Sequence, residues 1–423
     1  MATSGTLARR LGLGDAVFIG LGSMIGAGIF SVFAPAATAA GSWLLAGLAI
    51  AAVVAFCNAT SSAQLAAAYP SSGGTYLYGR EELGPWWGFA AGWSFVIGKT
   101  ASCTAMALTF ATYAAPAGWE RPVAIVAVVA LAAVNYAGVT RTAQLTRIIV
   151  VLVLAVLGVV LAAGTAASSP GSLASGFTAS GSLYAILQSA GLTFFAFAGY
   201  ARIATLGEEV RSPARTIPRA ITIALGLTVV LYLAVAVVSL ASIGPDRLAA
   251  SDAPLEDVTA AAGWAWALPI VQAGAALASL GALLALIAGI GRTALAMARN
   301  ADLPRYLGAV HPRRSVPHHA EIALAIVVVV LVATVDLRSA IGFSSFGVLL
   351  YYLVANLAAF RQSGAHRRYP KALQVLGMLG CVALVATLPL QSIAVGVVVL
   401  LIGFAYRAIR LAASRRRSLG SGE

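Results

Sequence analysis

The chain is a succession of long apolar runs, each about as long as a bilayer crossing, separated by short breaks carrying Pro, Gly or charge. A spanning helix needs about 20 mainly apolar residues. Twelve runs qualify, at roughly 14–39, 42–66, 86–115, 121–139, 147–167, 181–206, 219–243, 264–295, 320–336, 340–360, 371–388 and 390–409. The eleventh and twelfth meet at Leu388-Pro389-Leu390, read as a helical hairpin bend, with one kinked helix as the alternative. Backbone groups in hydrocarbon must be satisfied within the segment, so the chain is expected to be all-α and polytopic. Only 10% of the residues are charged, against about 25% in a soluble domain. Collagen, disordered tails and soluble enzymes are thereby excluded. Cys57, Cys103 and Cys381 lie in apolar runs and read as small packing residues rather than a disulfide framework.

The formal charge of +13 invites a nucleic-acid reading, but its placement argues for membrane orientation. With the N-terminus inside, three basic residues fall in outer loops (Arg121, Arg247, Arg338) and two within spans (Lys99, Arg202). The remaining 22 of 27 fall on the inner side, among them Arg9, Arg10, Arg80, Arg141 and Arg147. That asymmetry predicts both termini in the cytoplasm of a cell that carries the protein in its plasma or inner membrane. The basic run Arg415-Arg416-Arg417 is expected to face anionic lipid head groups, and no nucleic-acid partner is expected. The run after Arg9-Arg10 is longer than a signal h-region and other spans follow at once, so it reads as the first span.

Two spans are not simple Ala/Leu/Val runs. The first reads Gly20-Leu21-Gly22-Ser23-Met24-Ile25-Gly26-Ala27-Gly28-Ile29-Phe30. Glycine is costly in a helix, so this is a candidate interruption; Gly22 and Gly26 also form a GxxxG packing motif. The sixth reads Phe194-Phe195-Ala196-Phe197-Ala198-Gly199-Tyr200-Ala201-Arg202, again with glycine near mid-span. Five spans per unit forces two such units into opposite orientations. Interrupted helices at matching positions of inverted halves point to a transport site at the bilayer midplane. Freed N–H groups attract a carboxylate and freed carbonyls attract a cation, the two groups of an α-amino acid.

The Gly-Ser-Met-Ile-Gly-Ala-Gly-Ile-Phe stretch resembles the first-helix motif of the amino acid–polyamine–organocation (APC) transporters. Phe195-Ala-Phe-Ala-Gly-Tyr, continued by Gly207-Glu208-Glu209-Val210-Arg211-Ser212-Pro213-Ala214-Arg215-Thr216-Ile217-Pro218-Arg219-Ala220, resembles their sixth helix and the loop after it. Pro70-Ser71-Ser72-Gly73-Gly74-Thr75-Tyr76-Leu77-Tyr78 resembles their first inner loop. The resemblance implies a LeuT-like fold within one domain over 1–423: inverted five-helix repeats at 14–167 and 181–360, then two peripheral helices at 371–411. It implies that Ser23, Met24, Ile25, Gly26, Ala27 and Gly28 hold the substrate carboxylate and part of the amino group. Phe195, Phe197, Ala198, Gly199 and Tyr200 would supply carbonyls and an aromatic gate. Lys99 would sit on the substrate-facing side of the third helix. Arg202 departs from the family, several members of which carry an acidic residue near there.

Lys99 lies in Gly92-Trp93-Ser94-Phe95-Val96-Ile97-Gly98-Lys99-Thr100. The ending imitates a P-loop, but Trp93 stands where the first glycine must be, so ATP is excluded. An ammonium at mid-membrane costs at least about 2.5 kcal/mol, which marks Lys99 as a binding or coupling residue, with a structural lysine capping a buried carbonyl as the alternative. Arg202 reads either as an anion contact or gate charge, or as a structural cation that snorkels or pairs with Glu209. No Asp or Glu lies deep in any span: Asp15, Glu208, Glu209, Asp302 and Glu321 all fall at span ends or in inner loops. Arginine, lysine and polyamines are therefore disfavoured as substrates, and neutral or acidic amino acids remain.

Coupling is less constrained. The fifth span lacks a lysine, and Leu283 to Ile290 lacks the hydroxyls of a sodium site, with Thr293 standing alone. Proton coupling through Lys99 and ion-free exchange both stay open. His311, His318, His319 and His366 match no zinc spacing, so neither metal nor cofactor is expected. The leading expectation is a secondary active amino acid permease rather than an enzyme. An exchanger or exporter is the runner-up, and a transporter-like sensor or channel the alternative of a different class.

Overall fold

The structure is a computed structural model and describes residues 11–69, 73–138, 143–168, 181–207, 209–314, 316–364 and 367–420, with side chains up to 413. Arg9, Arg10, Pro70 to Ser72, Arg141, Glu208 and His366 lie outside the described residues, as do the side chains of Arg415 to Arg417. The helices are α1 (Leu13–Met24), α2 (Gly28–Ser31), α3 (Phe33–Ala40), α4 (Leu44–Ala68), α5 (Gly74–Leu83), α6 (Pro85–Ala114), α7 (Glu120–Tyr136) and α8 (Ala143–Ala167). They continue as α9 (Leu183–Phe197), α10 (Ala201–Ala204), α11 (Pro213–Ala250), α12 (Pro254–Ala261), α13 (Leu268–Arg299), α14 (His318–Thr334), α15 (Leu337–Arg361), α16 (Lys371–Thr387) and α17 (Leu390–Gly420).

The architecture is all-helical, as the apolar runs require. Among the described residues nine helical stretches are long and apolar enough to cross a membrane. The helices α14 and α16 are apolar but shorter. With α7, they have 17 residues each, a length of about 26 Å against a hydrocarbon core of about 30 Å. The sequence runs omitted α5 and α12, and the seventh run began a few residues inside α11. Within α11 the backbone leaves helical geometry at Gly244 (φ 74°, ψ 168°), so two helical segments meet there across a kink, the second starting at Pro245. At Leu388 the backbone is extended, so α16 and α17 are separate helices rather than one kinked helix.

Small residues set the crossing of α6 and α15. A Cβ on Gly347 of α15 would lie 2.7 Å from the Cα of Gly98 on α6, so neither position admits a side chain without moving backbone. Farther along the same interface the hydroxyls of Ser102 and Ser344 meet at 2.7 Å. Together these hold Lys99, the residue after Gly98, at a fixed height.

A second fixed point lies beyond α13. Asp302 is buried and accepts from Tyr76 Oη (2.7 Å), Arg80 Nη1 (2.9 Å) and Arg407 Nη2 (3.0 Å). One carboxylate thus joins α5, α17 and the end of α13. Removing one member of a buried ionic cluster costs about 3–5 kcal/mol because the partner charges stay buried. Asp302→Asn is expected to lower the thermal unfolding midpoint in detergent far more than Asp246→Asn, whose side chain forms no ion pair among the described residues. Equal midpoints would show that the cluster contributes nothing net.

Candidate substrate site

The first span is interrupted. α1 ends at Met24 and the helix resumes at Gly28, with Ile25 to Ala27 between. Ile25 N–H still reaches Leu21 O at 2.7 Å, but among the described residues the N–H groups of Gly26 and Ala27 have no backbone acceptor. The sixth span is interrupted more gently: Ala198 to Tyr200 form a single 3₁₀ turn between α9 and α10. A 3₁₀ turn bonds one residue earlier than an α-turn and shifts which carbonyls remain open.

The two breaks touch. A Cβ on Gly199 would lie 2.2 Å from Ser23 O and 2.6 Å from Met24 N, and one on Gly28 would lie 2.8 Å from Ala196 Cα. These glycines are therefore required by backbone-to-backbone approach rather than by helix propensity. Tyr232, buried on α11, bridges the same two segments: its hydroxyl faces Met24 O and lies 3.1 Å from Ala196 O. A phenol has one hydrogen to donate, so the two carbonyls compete for it.

Lys99 also reaches the sixth-span break. Its side chain is 7% exposed, and Nζ donates to Ala198 O at 3.3 Å. The same carbonyl accepts from Tyr352 Oη of α15 at 3.1 Å. An ammonium has three N–H bonds, and this contact uses one. Phe197 is fully buried and packs against Tyr232 with ring centroids 5.1 Å apart, while Tyr200 stacks on Tyr352 at 4.9 Å. Phe195, Met24, Ile25 and Ala27 are buried. Beside the first break is a cavity of ≈ 10 Å³ lined by Gly22, Ile25, Gly26, Val150 and Ala278 among others. That is room for about one water.

Three sequence-selected residues make contacts of their own. The Ser23 hydroxyl turns back onto its own helix and donates to Ile19 O at 2.8 Å. A Cβ on Gly26 would lie 2.7 Å from the Cβ of Ala282, so the absence of a side chain there permits packing of α13. Arg202 donates to Thr205 Oγ1 at 3.0 Å and, among the described residues, forms no ion pair with Glu209. It belongs to the loop side of the sixth-span break.

Sequence reasoning missed Tyr232 and Tyr352, which tie the breaks to α11 and α15. A signal existed: a phenol in an apolar span must find an acceptor, and interrupted helices supply free carbonyls. It also missed Tyr113 of α6, whose hydroxyl donates to Phe30 O at 3.0 Å and accepts from Leu255 N at 3.3 Å.

The profile of the family described as amino acid permease matches residues 11–411. A protein of Mycobacterium tuberculosis named as an uncharacterized transporter is 58% identical over 420 residues, covering 99% of this chain and 95% of its own. The branched-chain amino acid permease BcaP of Bacillus subtilis is 26% identical, covering 95% of this chain and 93% of its own. The human cationic amino acid transporter 4 is 28% identical, covering 82% of this chain and 58% of its own. The protein is a multi-pass membrane transporter, not an enzyme. The chain belongs to the amino acid permease family, within the APC group its motifs resemble.

Proposed function

We propose that the protein is a secondary active permease for neutral amino acids, held by their carboxylate and ammonium at the two contacting helix breaks. The observation that carries this reading is the meeting of the breaks, with unsatisfied N–H groups at Gly26 and Ala27 on one side and the shared carbonyl of Ala198 on the other. The carboxylate is placed at the N–H groups and at the spare hydrogens of Lys99. The ammonium is placed at carbonyls released when Tyr232 chooses between its two acceptors.

In this reading the chain crosses twelve times, with 14–167 and 181–360 as inverted units and both termini inside. Alternating access proceeds by freeing α1. That helix is fastened at its start by Asp15 to Arg147 (2.7 Å) and by backbone bonds from Leu11 N to Glu209 O and from Arg211 N to Leu11 O. Proton coupling rests on Lys99.

Charge selects the substrate. A second cation about 4 Å from Lys99 Nζ would cost about 4 kcal/mol at an effective dielectric of 20, roughly a thousandfold in affinity. Binding of arginine, lysine and putrescine is expected to be negligible beside that of neutral amino acids. Thermal-shift screening of the twenty amino acids and putrescine checks this: neutral compounds should raise the unfolding midpoint. Stabilisation by arginine or putrescine of equal size would mean that the site's polarity is misassigned. Flux into proteoliposomes with and without internal substrate then separates uptake from exchange.

A further inference from the structure

A buried polar cluster, distinct from the Asp302 cluster and from the helix breaks, lies where α4, α15 and α16 meet. Asn356 of α15 is its centre, and Asn58, Ser61 and Asn356 are all fully buried. Asn356 Nδ2 donates to Asn58 Oδ1 at 2.6 Å and to Tyr352 O, four residues earlier on its own helix, at 2.9 Å. Its Oδ1 accepts from Ser61 Oγ at 2.7 Å. Asn58 Oδ1 also accepts from Cys381 Sγ at 3.4 Å, and a Cβ on Gly377 would lie 2.5 Å from Asn356 Oδ1, so α16 closes over the amide.

This arrangement carries a penalty. A carbonyl only accepts, so Tyr352 O fixes which end of the Asn356 amide is Nδ2. Asn58 must then turn its oxygen to Asn356, and its own Nδ2 is left buried without a partner. An unpaired buried donor loses its hydration for nothing in return. Leucines in these places would join α4 to α15 without that loss, but apolar contact is non-directional and sets no register. A directional network kept at a cost in stability points to whatever it holds in place.

What it holds is Tyr352. One turn along α15, this phenol donates to Ala198 O, the carbonyl that Lys99 shares. Its ring stacks on Tyr200 with centroids 4.9 Å apart and meets Phe194 edge-on at 5.9 Å. Aromatic pairs tolerate offset, so the rings alone do not set the height of the hydroxyl. Gly347 and Ser344 fix α15 against α6, whereas Asn356 fixes it against α4. That helix in turn packs on the sixth span: a Cβ on Gly47 would lie 3.0 Å from Ala190 N of α9. We infer that Asn356 is a positioning residue for substrate binding: pinned by Asn58 and Ser61, it holds Tyr352 where its hydroxyl shares Ala198 O with Lys99. The role in binding rests on the reading of the helix breaks as the substrate site.

The test is hydrogen exchange of the full-length protein in detergent, read by mass spectrometry on peptides covering residues 194–205, for wild type, Asn356→Leu, Tyr352→Phe and the double variant. Either single variant should speed exchange there about tenfold, the scale of one hydrogen bond. The double variant should add nothing further, because both changes cut one link. Gln374→Leu, which removes another buried amide from α16, is the control and should leave that segment unchanged. Ser61→Ala removes one bond to Asn356 and should act in the same direction by a smaller factor, which keeps the test decisive if Asn356→Leu fails to fold. Uptake of labelled neutral amino acids, supplied as one equimolar mixture, should show a half-saturating concentration about tenfold higher in Asn356→Leu with the maximal rate kept. Exchange at the wild-type rate in both Asn356→Leu and Ser61→Ala, additive effects in the double variant, or unchanged half-saturation in Asn356→Leu overturns the assignment. Linked exchange in a wild-type protein that takes up no neutral amino acid supports the positioning link and overturns the substrate reading alone.

Discussion

Gly199→Val is expected to abolish transport while the protein still inserts. The added Cβ would sit 2.2 Å from a carbonyl oxygen and 2.3 Å from a carbonyl carbon of Ser23, both backbone atoms that no rotamer change can move. Overpacking costs about 1–3 kcal/mol where side chains can yield and more where backbone must shift. Here the shift separates the two breaks, so uptake should fall at least about 100-fold, the rate equivalent of about 3 kcal/mol. Gly158→Val on α8 is the control: nothing lies within 4 Å of its Cβ position, and it should transport normally. Uptake by both variants, normalised to protein extracted from the membrane, checks the prediction. A Gly199→Val protein within a few-fold of wild type would show that contact of the breaks is not needed for function.

The second large effect is expected at Lys99. Methionine keeps the length and apolar stem of lysine but removes the ammonium that donates to Ala198 O. Tyr352 still donates to that carbonyl, so the break keeps one donor and Lys99→Met should fold. What it should lose is the dependence of uptake on external pH, because the only lysine deep within a span is then gone. Initial rates for both proteins from about pH 5 to 9 decide the matter. A variant that retains the wild-type profile assigns Lys99 a structural role, and coupling then belongs to another group.

What was legible in the sequence follows from how local each signal is. Apolar length is a local signal, so most of the long helices lie within a few residues of the apolar runs, while α11 and α17 extend farther. The breaks were legible because glycine is expensive in a helix and clusters only where something requires it. The direction of each glycine was not: Gly199 and Gly28 face the opposite break, Gly26 faces Ala282, and composition alone cannot distinguish them. Nor could the sequence pair Tyr232 with Met24 or Asp302 with Arg80 and Arg407, since each link spans 105 residues or more of chain. The short helices α5 and α12 escaped because their pattern is neither long nor uniformly apolar, and α12 begins at a proline that reads as a loop. Lys99 stood out for the opposite reason, as a charge within hydrocarbon needs a partner wherever the fold places it.

The account rests on recognition of both ends of an amino acid at the helix breaks. The most direct measurement is uptake of a labelled neutral amino acid into proteoliposomes, competed separately by the unlabelled compound, its methyl ester and its N-acetyl derivative. The ester keeps the ammonium and loses the carboxylate; the acetyl derivative does the reverse. The account predicts full competition by the parent compound and little by either derivative. Competition by the ester or the N-acetyl derivative as strong as by the parent would contradict it.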